Sequence, residues 1–117
     1  MNHPVSTVAY YNQVSPIGKP ILDLLCIECK ESCIATLLSL QSDGWGFCSL
    51  TAVKYLWRLG QKTEDYSDDI VKAIQYFEWA SENEFDLPNF DIDRWGNIGF
   101  AILELDKLLR TMKNDTI

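Results

Sequence analysis

The sequence predicts an all-α fold, four or five helices in one small domain behind an extended N-terminal arm. Three observations predict it. Apolar residues recur at helical spacing in successive stretches, and no stretch of useful length alternates apolar and polar residues as a half-buried strand does. Helix punctuation bounds those stretches: Pro20 and Ser67-Asp68-Asp69 at openings, Asp43-Gly44 and Gly60 at closings. The 117 residues, 47% hydrophobic and 23% charged, fit one globular domain with a core of its own, and a second domain is not expected.

Residues 1–19 carry Pro4, Pro16 and Gly18 with no helical period and are read as an extended or looped arm, anchored by Val8, Tyr10 and Tyr11. Residues 20–117 form the single helical domain. From Pro20, "PILDLLCIECK" places apolar residues at 21, 22, 24, 25 and 27, and "SCIATLLSLQS" either continues that helix or restarts at Ser32. The third segment spans about 46–60. On a helical wheel Thr51, Lys54, Arg58 and Gln61 share one narrow polar strip, while Leu50, Ala52, Val53, Tyr55, Leu56, Trp57 and Leu59 cover the rest. A helix apolar over most of its circumference belongs in the middle of a domain. Lys54 and Arg58 are therefore expected at the border of a core or a cleft.

The fourth segment opens with Ser67 as N-cap and with Asp68 and Asp69 at the positive end of the helix dipole. Its core face is Ile70, Ala73, Ile74, Phe77 and Ala80, beside a second stripe of Asp69, Lys72, Tyr76 and Trp79. The acidic connection "SENEFDLPNFDID" leads to a last helix at about 94–112, with Ile98, Ile102, Leu105, Leu109 and Met112 inward and Glu104, Lys107 and Arg110 outward.

The net charge of −7 argues against duplex nucleic acid as a partner, because phosphate neutralisation needs surplus Lys and Arg. No apolar run approaches the roughly 18–20 residues that span a bilayer, and the first residues have neither a basic start nor an apolar leader. A cytoplasmic protein without membrane contact is expected. Cys26, Cys29 and Cys33 would share one face if one helix ran through them, and with Cys48 they are read as buried free thiols. No metal site is predicted, since a second closely spaced ligand pair is missing and the only histidine is His3.

Chemistry is most readable where the third and fourth helices meet. The short connection from Gln61 to Tyr66 makes them an antiparallel hairpin, which gathers Lys54, Arg58 and Lys62 with Asp69, Lys72 and Tyr76. In one reading these are an interhelical ion-pair network, with Asp69 answering Arg58 or Lys62. In the other they are an anion site: guanidinium and ammonium groups beside a dry wall bind phosphate, and Trp57 or Tyr76 stacks on a base.

Other constellations carry less. "DIDRWGNI" begins like a calcium loop but has Trp95 at its fifth position and Ile102 at its twelfth, so it is read as a turn capping the last helix. Glu28 and Glu31 on one helix with Asp65 and Asp68 or Asp69 near another have the helical pairing that holds magnesium in all-α nucleotide pyrophosphohydrolases. No glycine-rich phosphate loop is present, and His3 lies too far out in the arm for a Ser/His/Asp or Cys/His set.

The ordered string "NHP" at 2–4, Tyr at 10 or 11, "GKPILDLL" at 18–25, "GFCSLTAVKYLWRLGQK" at 46–62 and "DDIVKAIQYFEW" at 68–79 resembles the SaV-like family of small bacteriophage proteins. Most of that family is uncharacterised; one branch looks like a podovirus deoxynucleoside monophosphate kinase that lacks any recognised nucleotide-binding motif. Asn2, His3, Pro4, Asp23, Phe47, Cys48, Lys54, Tyr55, Trp57, Arg58, Lys62, Asp69, Lys72, Ala73 and Tyr76 match its pattern. Pro20 replaces the family's Glu, Leu50-Thr51 replace its Gly-Asn, and the stretch around residues 30–42 looks inserted. The resemblance ends near residue 80, so the last helix is an addition.

Together these imply a phage-encoded protein of the host cytoplasm that binds a nucleotide or other small anion, with a deoxynucleoside monophosphate kinase-like activity and an oligomer completing the site. Lys54, Arg58 and the nearby Lys62 and Lys72 would hold phosphate, Asp69 would orient a cation or magnesium, and Trp57 or Tyr76 would meet the base. Magnesium would arrive with the nucleotide, no other cofactor is implied, and catalytic residues are unassigned. The alternative is a non-enzymatic protein whose acidic surface, with Glu82, Glu84 and Asp86, binds a host factor such as a defence nuclease.

Overall fold

The helix with the widest apolar circumference becomes the centre of the molecule. In the computed structural model, which describes residues 12–62, 64–84 and 92–115, five helices follow one another: α1 Lys19–Leu24, α2 Cys33–Ser42, α3 Phe47–Trp57, α4 Ser67–Asn83 and α5 Ile92–Asp115. α3 touches α1, α2 and α4, and its contact with α4 is the most extensive of any helix pair. α5 closes the other side against α4 and α1. The all-α expectation is met, and no strand occurs among the described residues. No helix is long and apolar enough to cross a membrane, among the residues described.

The core is continuous through these contacts. Ala52, Val53, Leu56, Trp57 and Leu59 bring α3 and its end into it, Ile70, Ala73 and Phe77 bring α4, and Ile98, Ala101 and Leu105 bring α5. These are the inward stripes that helical spacing marks out. A fully buried aliphatic or aromatic side chain is worth about 1.5–3 kcal/mol of transfer free energy. The shared apolar faces, rather than helix propensity, therefore hold the bundle.

The first helix is shorter than its apolar run suggests. α1 stops at Leu24 because the chain turns left-handed at Cys26, whose φ is 58°. Ile27 N–H then donates to Leu22 C=O at 3.1 Å and Cys26 N–H to Asp23 C=O at 3.0 Å, the paired bonds of a Schellman ending. The helix restarts at Ser32, whose Oγ accepts from Ala35 N–H at 3.1 Å. The cysteines therefore do not share one helical face. Cys33 is buried, Cys29 and Cys48 are half-buried, and Cys26 is exposed, so the expectation of buried thiols holds fully for Cys33. Glu28 and Glu31 fall in the connecting loop and not on a helix, which removes the two-helix carboxylate arrangement.

α2 ends as its Asp43-Gly44 signal indicates, with Gly44 at φ 95° and Trp45 N–H donating to Leu40 C=O at 3.0 Å. α4 begins differently from expectation. Its N-cap is Tyr66, Ser67 is the first helical residue, and the Asp65 carboxylate accepts from Ser67 N–H at 3.0 Å and from its hydroxyl at 2.7 Å. α5 runs further at both ends than the expected 94–112, and residues 92–98 are helical and not the capping turn expected there.

Of the expected arm, residues 1–11, with Val8, Tyr10 and Tyr11, lie outside the described residues. The remainder takes the looped form of that expectation and is docked. Ser15 is fully buried at the end of α3: its N–H donates to Trp57 C=O at 2.8 Å, its hydroxyl donates to Leu59 C=O, and its Oγ accepts from Ile17 and Gly18 N–H. Gln61 Nε2 joins the same knot through Gln13 C=O at 2.8 Å and Trp57 C=O at 2.7 Å. Carbonyls that the helix end would leave orphaned are satisfied there.

Candidate functional site

α3 and α4 run antiparallel, since Arg58 at the end of α3 meets Asp69 in the first turn of α4 while Ser49 near the start of α3 meets Glu84 just past the end of α4. The expected hairpin is formed. Its connected end, where α3 passes into α4, carries the predicted residues. Arg58 Nη2 donates to Asp69 Oδ1 at 3.0 Å, and each side chain is 12% exposed. Asp69 answers Arg58, as the ion-pair reading expects.

The polar strip of α3 and the second stripe of α4 converge on Tyr55. Arg58 lies 4.7 Å from its ring centroid, Lys54 5.6 Å and Lys72 5.8 Å. The Tyr76 ring stacks on Tyr55 at 6.0 Å and 20°, and meets Trp79 edge-on at 5.1 Å and Phe47 edge-on at 6.3 Å. Tyr76 is thus the hub of an aromatic surface that continues to Trp79 and Phe47, which are 41% and 73% exposed. Beyond the cations lies a cleft of about 180 Å³ lined by Arg58, Lys62, Lys72, Asp65, Asp68 and Asp69. The Ser67 hydroxyl, and then its N–H, hold the Asp65 carboxyl below the usual carboxylate range.

The structure brings together Lys54, Arg58, Asp69, Lys72 and Tyr76, and places Lys62 on the cleft. Trp57 is the exception. It is 1% exposed on the inward side of α3, so it cannot stack on a base, and its indole Nε1 has no hydrogen-bond partner among the described residues. The wheel already puts Trp57 outside the polar strip; Trp79, on the α4 stripe with Lys72 and Tyr76, is the exposed indole on this face. Among the described residues no three His, Cys, Asp or Glu side chains are gathered as a metal site would require.

A second polar cluster was not legible in the sequence. Glu84, expected on the acidic surface, is buried, and its carboxylate accepts from Cys48 N–H at 2.5 Å, Ser49 N–H at 3.3 Å and Ser49 Oγ at 2.7 Å. It caps α3 from 35 residues away, at the positive end of the helix dipole. Gly46 makes room for it, since a Cβ there would sit 2.5 Å from Glu84 Cδ. Burial, and then the Glu84 carboxylate, push the Cys48 thiol up. Of the three residues assigned to an acidic docking face, Glu82 is exposed, Glu84 is not available, and Asp86 lies outside the described residues. Comparisons of the chain with protein-family models, curated proteins and solved structures found no match.

Proposed function

We propose that the chain binds a nucleotide or comparable organic phosphate on the α3–α4 face. One observation carries this: on a protein of net charge −7, Lys54, Arg58 and Lys72 all lie within 5.8 Å of the Tyr55 ring, beside a cleft and an exposed aromatic surface. Lys62 and Lys72 are exposed and supply donors to phosphate oxygens at the cleft, and Trp79 offers a ring to a base. Lys72 and Trp79 are seven residues apart on one helix, about 10 Å of rise, the scale of a mononucleotide. The resemblance of residues 2–80 supports the same face, because Lys54, Arg58, Lys62, Lys72 and Tyr76 are among its matching positions.

The support is for binding rather than for phosphoryl transfer. Arg58 and Asp69 hold each other, which leaves the exposed lysines to recognise an anion. Where magnesium accompanies the nucleotide, Asp65 and Asp68 on the cleft would meet it. The test is thermal unfolding with deoxynucleoside mono- and triphosphates, with and without magnesium, on the native chain and on Lys72→Ala and Lys62→Ala. A ligand at one hundred times its Kd stabilises by about 2.7 kcal/mol, which in a domain of this size is several degrees. A shift reduced in the lysine variants supports the proposal; no shift with any nucleotide at millimolar concentration ends it.

A further inference from the structure

α2 packs substantially on a single other helix of the bundle. That helix is α3, and α2 buries Cys33, Thr36 and Leu40 on one face. Ile34 and Leu38, one turn apart, point away from that face and are 65% and 60% exposed. Across from them stands Phe47, the first residue of α3. A groove of about 280 Å³ runs between the two helices, lined by these three with Leu37, Leu50 and Lys54. Single exposed apolar residues are ordinary. Three such side chains lining one groove form a patch of the kind that marks an interaction site.

Length and charge identify the occupant. On α3 the lining runs from Phe47 to Lys54, about 10 Å or two helical turns, which suits a helix with apolar anchors at i, i+4 and i+7. Lys54 marks one end, next to Arg58 and Lys72 around Tyr55, and among the described residues no carboxylate lines the groove. A second copy packed groove to groove would bring Lys54 no anionic partner. A helix with an acidic end or edge would. We propose that the α2–α3 groove docks an acidic amphipathic helix of a partner protein, aliphatic anchors between Ile34, Leu38 and Phe47 and carboxylates at Lys54.

The test is selection from a displayed library of helical peptides, acidic and basic, on the full chain, with Leu38→Glu and Phe47→Ser as counter-targets. Both positions are exposed, so the variants are expected to melt with the native chain; should one unfold, the other carries the comparison. The expected result is enrichment of peptides with apolar residues at i, i+4 and i+7 and net negative charge. Their affinity should fall about tenfold or more on Leu38→Glu, and should fall on Lys54→Glu and return when a peptide carboxylate is exchanged for lysine. Enrichment of basic peptides, enrichment equal on Leu38→Glu, or no enrichment overturns the proposal. So does a dimer in sedimentation that Leu38→Glu abolishes, since the occupant would then be a second copy. Leu38→Glu leaves the cleft lysines in place, so this proposal and nucleotide binding fail separately.

Discussion

Arg58 and Asp69 meet at 3.0 Å with only 12% of each side chain exposed, and so tie the end of α3 to the first turn of α4. Asp69 also lies at the positive end of the α4 dipole, so its charge has two sources of support. Removing Arg58 leaves that carboxylate in place with little water to replace the guanidinium.

Arg58→Ala should therefore destabilise the fold by about 3–5 kcal/mol, and Asp69→Asn added to it should recover part of the loss. Denaturant titration of the single and double variants measures both. A loss below about 1 kcal/mol in Arg58→Ala would mean that the pair behaves as a solvated surface bridge. Ligand binding is accordingly tested at Lys62 and Lys72, whose removal leaves no buried charge behind.

Glu84 and Gly46 form a second coupled pair. Glu84→Gln keeps an acceptor but loses the charge at the α3 N-terminus, and should cost about 1 kcal/mol; Glu84→Ala should cost about 2. Gly46→Ala pushes a methyl group into the space of the carboxylate and should cost about as much by itself. Added to Glu84→Ala it should cost little more, a non-additivity that a double-mutant cycle reads directly. Simple additivity would show that Gly46 acts through something other than the cap.

Backbone geometry sets three further expectations. A Cβ at Gly18 would lie 1.9 Å from Leu56 O, a backbone atom in the core, so Gly18→Ala should prevent native folding. A Cβ at Gly99, in the middle of α5, would meet nothing within 4 Å, so Gly99→Ala should stabilise by up to about 1 kcal/mol. Cys26 is the reverse case, a side chain at φ 58°, and Cys26→Gly should gain about 1 kcal/mol. Gly18→Ala should show no cooperative unfolding transition, whereas the urea midpoints of Gly99→Ala and Cys26→Gly should both lie above that of the native chain.

Cys33 supplies a pH dependence. Burial pushes its thiol up to about 11 from the ordinary 9.0, so the folded chain holds that proton more tightly than the unfolded chain does. The stability this contributes is complete below about pH 9 and is lost as pH rises towards 11. The stability gap between the native chain and Cys33→Ala should narrow over that window. At pH 8 iodoacetamide should label exposed Cys26 first and reach Cys33 last. Equal labelling rates would show that the α2 N-terminus opens readily.

Much of the candidate site could be read from spacing. Lys54 and Arg58 share a strip on α3, and Asp69, Lys72, Tyr76 and Trp79 recur on one stripe of α4. A short connection then obliges the two stripes to face each other. Which aromatic ring lies outside was harder to read, because Trp57 and Tyr55 are both apolar positions on the wheel. Packing against the core decides between them.

Local periodicity and helix punctuation by themselves determined the class of fold, the central place of α3, the inward faces of α4 and α5, and the stop at Asp43-Gly44. Each of these depends on residues within a few turns of one another, where side-chain direction follows from backbone geometry. Tertiary structure decided the rest. It ended α1 at a left-handed Cys26, drew residues 13–18 onto the end of α3, turned Glu84 from a surface charge into a cap, and committed Arg58 to Asp69. In each case helix ends or buried charges needed partners, and the partners that satisfied them lay elsewhere in the fold, where no local pattern records them.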